Sequence, residues 1–223
     1  PALGAGGCPT GCRACTEPCP TGAVAVEAGR VGLDMGRCLF CGECAGACPQ
    51  ARLRFTGEHR LAAWTREALR LPDEPPAPRP AIAHLRLFRR SLALRQVSAG
   101  GCNACEADIN VLSSIAFDLG RFGIQVVASP RHADGLLVTG PVTENMKLAL
   151  EKTYRALPPP RLVIAVGACA ISGGPYAGHP EAHDGAGSVV PVDLFIPGCP
   201  PHPLTILDGL LQLKQAANGG PTD

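Results

Sequence analysis

Aromatic residues make up only 4% of this 223-residue chain. One Trp, two Tyr and six Phe are too few to build the stacking platforms that hold single-stranded nucleic acid. Charge of one sign is also scarce: the formal net charge is +1, which excludes nucleic-acid binding by bulk electrostatics. No uninterrupted apolar run approaches the length of a membrane span, so membrane attachment is expected only through a partner. A three-part secretory signal is missing, as is an initiator Met, which leaves processing or trimming of the terminus open. Neither a nucleotide P-loop nor a flavin-binding loop is found.

Cysteine, by contrast, is abundant and ordered. Twelve residues fall as four, four, two, one and one. Cys8, Cys12, Cys15 and Cys19 form one run, closed by Pro20, and Cys38, Cys41, Cys44 and Cys48 form another, closed by Pro49. Cys102 and Cys105 make a pair, and Cys169 and Cys199 stand alone. Four thiolates hold one cubane iron–sulfur cluster, so twelve suffice for three [4Fe-4S] clusters. The second run reads C-x2-C-x2-C-x3-C-P, the bacterial ferredoxin spacing. In that spacing the cysteine before proline ligates the neighbouring cluster. Cys38, Cys41 and Cys44 are therefore expected to share a cluster with Cys19, and Cys8, Cys12 and Cys15 to share one with Cys48. The first run departs from the pattern as C-x3-C-x2-C-x3-C-P, and the extra residue bears most on Cys8, whose sulfur must arrive on a bulged loop.

Two other chemistries compete for these thiols. Six disulfides would suit a secreted chain, but cysteines two residues apart are too close for ordinary bridge geometry to use them all. Structural zinc pairs a C-x2-C with a second, distant pair, whereas here four cysteines crowd into each run and end in C-P. For Cys102, Cys105, Cys169 and Cys199, spacing alone leaves zinc or plain buried thiols open.

The composition shifts at residues 71 to 80, where alternating prolines forbid a helix and favour a stiff, extended linker. This predicts a two-cluster ferredoxin domain over 1–70 and a second domain over 81–223. The first contains a repeat, a cysteine run followed by a short β-like stretch, at Ala23 to Val26 and again at Arg52 to Phe55. Glu58 to Arg70 reads as a helix leading out of the domain, with Trp64 as a packing residue. Gly and Pro, 27 and 23 residues, suit tight loops around clusters.

In the second domain, Ile124 to Ala128, Gly135 to Thr139, Leu162 to Val166 and Asp193 to Ile196 are short apolar runs suited to strands buried on both faces. Ala93 to Val97 is a further candidate strand. Helical patterns cover Ala107 to Leu119, Thr143 to Leu157, stopped by three prolines, and Leu204 to Gln215. The alternation predicts an α/β doubly wound parallel sheet. Ligands of such sheets gather beyond the carboxyl ends of the strands. Cys102 and Cys105 follow the first strand through Ser98-Ala99-Gly100-Gly101; Cys169 and Cys199 follow later strands through Gly167-Ala168 and Pro197-Gly198. All four thiols are thus expected at one sheet edge, with glycines letting backbone approach closely and aim N–H groups at sulfur.

Residues 88 to 110, with the block G-G-C-N-A-C-E-A-D-I-N, resemble the start of the small subunit of energy-converting [NiFe] hydrogenases, the formate hydrogenlyase group. Residues 121 to 146, V-G-A-C-A-I-S-G-G (166 to 174) and I-P-G-C-P-P-H-P (196 to 203) are similar to the same subunits. G-R-C-L-F-C-G-E-C-A-G-A-C-P (36 to 49) resembles their two-cluster ferredoxin subunit, so the chain looks like a fusion of the two. The resemblance implies an N-terminal 2[4Fe-4S] ferredoxin-like domain followed by a flavodoxin-like domain. It implies a proximal cluster on Cys102, Cys105, Cys169 and Cys199, and an electron-transfer role beside a separate [NiFe] large subunit, with further electron-transfer or membrane subunits. A cytoplasmic location, at the inner membrane face through such subunits, is expected with it. The related complex I subunit has the first two of these cysteines adjacent; here Asn103 and Ala104 separate them, as in hydrogenases. A complex I-like module serving quinone is the alternative.

Glu106 and Asp108 follow the cysteine pair. The resemblance implies proton movement; the competing reading is a capping carboxylate in the first helical turn. His132 and His179 read as surface or hydrogen-bonding residues, and Arg89, Arg90 and Arg95 as solvated or partner-facing. No nickel-binding C-x2-C pair stands near a terminus, so no catalytic site of the chain's own is expected.

Overall fold

The computed structural model describes residues 1–4, 6–72 and 83–218. Two small antiparallel sheets organise the N-terminal part. One pairs β1 (Ala2–Leu3) with β4 (Leu53–Arg54); the other runs in the order β2 (Val24–Glu27), β3 (Arg30–Asp34), β5 (Arg70–Leu71). The two repeat stretches thus form strands, but in different sheets. β3 has no counterpart in the sequence-based reading. It returns from β2 through Ala28 and Gly29, whose φ values of 48° and 73° suit a two-residue hairpin. Between the sheets lies the short helix α1 (Glu43–Ala47), which buries Cys44. With its two cysteine runs this part is ferredoxin-like.

The segment read as a helix over Glu58 to Arg70 is not one. Ala63 exchanges backbone hydrogen bonds with Phe195 (2.9 and 2.8 Å), and Arg66 forks both oxygens of Asp34 at 2.7 Å. Leu69 is fully buried, its carbonyl accepting the Met35 N–H at 2.8 Å, and β5 pairs with β3. Tertiary partners on three sides outcompete local propensity. Trp64 packs against the core, as a packing residue should. Of the expected linker, Leu71 pairs with Leu33, while residues 73–80 lie outside the described residues.

The remainder is a five-stranded, all-parallel sheet. β6 (Leu92–Ser98), β7 (Ile124–Val126), β8 (Gly135–Thr139), β9 (Leu162–Val166) and β10 (Leu194–Ile196) align in the order β7-β6-β8-β9-β10. That is the flavodoxin-like order, with its switch point between β6 and β8. Strand alternation divides the core in two. Leu137, Leu162, Ile164 and Val166 face α2 (Ala104–Val111) and α5 (Pro203–Asn218). Leu136, Val138, Val163 and Ala165 face the side of α3 (Glu144–Ala156), α4 (Ala168–Ser172) and the N-terminal part, whose Leu33, Leu53 and Leu69 join the same core. Ser172 Oγ donates to the Gly36 carbonyl at 2.9 Å, fastening the two parts just ahead of Cys38.

Helix α2 differs from the expected Ala107 to Leu119. It starts at Ala104 after Asn103, whose φ is 71°, and ends at Val111. Beyond it, Ser113 and Ser114 lie in turns, Asp118 is left-handed (φ 45°), and the Leu119 N–H folds back onto the Leu112 carbonyl at 3.0 Å. Serines and aspartate favour such local turns over helix. α3 and α5 match the expected helices to within three residues at either end.

Candidate cluster-binding sites

Three of the five parallel strands, β6, β9 and β10, each lead to cysteine through a glycine. Ala99-Gly100-Gly101 leads from β6 to Cys102, Gly167 from β9 to Cys169, and Pro197-Gly198 from β10 to Cys199. Close backbone approach explains the glycines. A Cβ on Gly167 would lie 2.6 Å from the Cys105 sulfur, and one on Gly174 would lie 3.0 Å from that of Cys169. At the switch point the loops after β6 and β8 touch: a Cβ on Gly140 (φ 83°) would stand 2.5 Å from the Gly101 nitrogen. The residue-by-residue route from strand end to sulfur therefore tolerates no side chain at these turns.

The four thiols come together. Burial pushes Cys105 up to about 12, helped by charge repulsion from Glu106, Cys169, Cys199 and Cys102. Cys169 is pushed to about 11 by burial, then by Cys199 and Cys102. Cys199 is raised by burial and by Cys102. Cys102 and Cys199 are exposed, so the set opens to the surface.

The N-terminal thiols fall into two sets that cross between the runs. Cys15 is raised by burial, then by repulsion from Cys48, Cys8 and Cys12. Cys38 is raised by burial to about 11, against a lowering N–H from Phe40 and with repulsion from Cys44, Cys19 and Cys41. Cys8, despite the longer spacing, is among the charges that act on Cys15. Cys19 behaves differently: burial raises it, but backbone N–H groups of Thr21, Ala23 and Val24 outweigh that and bring it below its usual value. N–H groups also reach Cys38 from Phe40 and Cys48 from Arg52, both at 3.3 Å.

These donor sets fit iron–sulfur cages. Buried, mutually repelling thiols remain protonated near neutrality unless a cation offsets the charge, and the thiolate is the ligand form. Among the described residues, no three His, Cys, Asp or Glu side chains close in as ligands of a single metal ion do.

Other expected residues separate. Glu106 is buried, 5% exposed, and accepts a 2.7 Å hydrogen bond from Thr139 Oγ1 at the carboxyl end of β8; it faces the thiols instead of capping α2. Asp108 is half-buried. His132 is exposed, and His179, also exposed, accepts the Glu181 N–H of its own loop at 3.1 Å. Arg89 and Arg90 are exposed and Arg95 is half-buried. Thr139 and Arg52 were not singled out from the sequence. A Thr closing an apolar strand just before Gly140 is the available signal for the first. Phe40, Phe55 and His59 of the N-terminal part and Pro197, Pro200 and His202 of the loop around Cys199 line a shared cleft of about 370 Å³.

A flavodoxin-like sheet with four thiols gathered beyond its strand ends, preceded by a ferredoxin-like module, defines a class of protein, the iron–sulfur subunits of oxidoreductases. Residues 102–213 match the family described as NADH ubiquinone oxidoreductase, 20 Kd subunit, and the chain belongs to that family. It is 43% identical over 141 residues to formate hydrogenlyase subunit 7 of Escherichia coli, covering 60% of this chain and 55% of that protein. It is 42% identical over 131 residues to the probable membrane-bound hydrogenase subunit mbhJ of Pyrococcus furiosus, covering 58% of this chain and 78% of the relative. Among solved structures, a chain of the archaeal membrane-bound sulfane sulfur reductase superposes with a TM-score of 0.53 at 33% identity, covering 62% of this chain and 77% of that one. Among the described residues, no helix is long and apolar enough to cross a membrane.

Proposed function

We propose that this chain is an electron-transfer subunit of a [NiFe]-hydrogenase-type complex and carries no catalytic site of its own. The observation that carries the reading is the convergence of Cys102, Cys105, Cys169 and Cys199 at the switch point, in a chain similar to two hydrogenase subunits. In this reading Cys8, Cys12, Cys15 and Cys48 hold one [4Fe-4S] cluster, Cys38, Cys41, Cys44 and Cys19 a second, and the switch-point set a third. Bound there, each cluster supplies a one-electron carrier. The division into a 1–70 domain, a 71–80 linker and an 81–223 domain belongs to the same proposal.

The residues do the remaining work. Glycines at 140, 167 and 174 admit close backbone packing, and the cleft between Phe40 and Pro200 joins the loop of the second run to the loop of Cys199. Exposed Cys102, with Val111 (40% exposed) and the fully exposed Ile115 on the segment after it, offers an apolar outward face to a separate large subunit. Further electron-transfer or membrane subunits attach the assembly to a membrane. The purified complex is expected to reduce a redox dye with H2. Quinone reduction without any hydrogenase activity would favour the complex I-like alternative, to which the family description points. Iron and acid-labile sulfide near about twelve each per chain are expected from three cubanes.

Glu106→Gln keeps an acceptor for Thr139 but removes a charge that weighs on Cys105 and Cys169. At an effective dielectric of about 20, a unit charge acting over several ångströms contributes on the order of 1 kcal/mol or more, equivalent to roughly 40 mV or more for a one-electron couple. The variant is expected to raise the midpoint potential of the third cluster by that order in an EPR-monitored titration, leaving the other two unmoved. A potential unchanged within about 20 mV would remove Glu106 from the electrostatics of the site.

A further inference from the structure

The first cysteine run carries one residue more than the ferredoxin spacing, and although Cys15 is buried and Cys8 packs against the core, the enlarged stretch of Pro9, Thr10 and Gly11 is exposed. Residues Gly7 to Arg13 line a groove of about 1040 Å³, and nothing lies within 4 Å of where a Gly11 side chain would begin. Packing by the enlarged stretch itself therefore does little to hold Cys8 near Cys12, Cys15 and Cys48. A few polar tethers remain. The Cys8 N–H donates to the Gly29 carbonyl at 2.7 Å, and the Gly4 N–H donates to the Arg52 carbonyl at 2.8 Å.

Arg52 is present at both ends of this set. Its own N–H donates to the Cys48 sulfur at 3.3 Å. Its guanidinium Nη2 donates to the Gly7 carbonyl, one residue before Cys8, at 3.1 Å. The guanidinium also packs against Gly6, where a Cβ would stand 2.8 and 2.9 Å from its two terminal nitrogens at a φ of 102°. One residue thus ties the turn after Cys48 to the peptide entering Cys8, 45 residues apart in sequence, and brings a positive charge to a group of mutually repelling thiols. A planar fork suits this double duty, because it loses little freedom per hydrogen bond formed.

We propose that Arg52 is a positioning residue that clasps the enlarged first loop, so that Cys8 completes the four-thiol set with Cys12, Cys15 and Cys48. The inference rests on the ligand assignment of the proposed function, and its test separates the two. The full chain, reconstituted anaerobically with iron and sulfide, is compared as wild type, Cys8→Ser, Arg52→Met, Arg52→Lys and Gly6→Ala. Iron content and the EPR spectrum of the dithionite-reduced protein are read for each. Arg52→Met and Gly6→Ala are expected to lose about a third of the iron, and the same EPR component that Cys8→Ser loses, with the other two components intact. Arg52→Lys, which keeps the charge and a donor for Gly7, is expected to recover that component. Full iron and a wild-type spectrum in Arg52→Met would overturn the proposal. So would uniform loss of all three components in Gly6→Ala, since that marks general destabilisation. Should Arg52→Met fail to fold, Gly6→Ala and Arg52→Lys decide by the same criteria. A wild-type spectrum in Cys8→Ser would instead overturn the ligand assignment beneath it.

Discussion

Cys105→Ser is expected to cut electron transfer through the complex by on the order of a hundredfold or more, while the large subunit still copurifies. Loss of an outer residue that merely orients a ligand costs about 10- to 100-fold in metal affinity or activity, and the ligand itself should cost no less. Cys105 is also the thiol most enclosed by its set: Gly167 packs on its sulfur, and Cys169, Cys199, Cys102 and Glu106 all act on it. A serine hydroxyl is not a thiolate at neutral pH, and the narrow approach at Gly167 leaves no room for another side chain to substitute. H2-dependent dye reduction measures the loss, and EPR of the reduced chain should lack one component of three. Dye reduction within a few-fold of wild type, with Cys105→Ser confirmed by mass, would remove the switch-point set from the path.

The sequence made the position of this set readable and its surroundings much less so. Apolar runs buried on both faces, three of them ending at a glycine and then a cysteine, leave few places for the thiols other than the carboxyl edge of a parallel sheet. Gly135–Thr139 and Leu162–Val166 form as strands over the residues expected. Strand order came with the flavodoxin-like fold that the family resemblance implied and not from the apolar runs themselves, because it depends on which neighbours each strand finds. The Glu106–Thr139 hydrogen bond, which joins residues 33 apart in sequence, was not legible. The error over Glu58 to Arg70 has the same origin. Helical spacing there is real, yet Phe195, Asp34 and Met35 supply its backbone and side chains with better partners. β3 escaped notice because Ala28 takes the left-handed turn position where Asn or Gly would have announced a hairpin.

The crossing of the two N-terminal sets makes an expectation that linear spacing alone would not. Cys44 and Cys48 are neighbours in one run and on one short helical turn, α1 and its C-cap, yet they act on different partners: Cys44 on Cys19 and Cys41, Cys48 on Cys15. Each single substitution, Cys12→Ser, Cys44→Ser or Cys48→Ser, is expected to remove about four irons, one cubane's worth. The doubles discriminate. Cys12→Ser with Cys48→Ser should lose no more than either alone, because both changes strike one cage, whereas Cys12→Ser with Cys44→Ser should lose about eight. The reverse pattern, in which Cys44 and Cys48 are redundant and Cys12 is additive with both, would mean that each run closes on itself. The geometry speaks against that arrangement. Cys19 takes backbone N–H groups from Thr21, Ala23 and Val24, which turn it away from its own run and toward Cys38 and Cys44. The C-cap of α1 turns Cys48 into extended backbone (φ −81°, ψ 106°), toward Arg52 and the loop of Cys8. A proline after each of these two cysteines disfavours helix at the cysteine itself, ending α1 at Cys48.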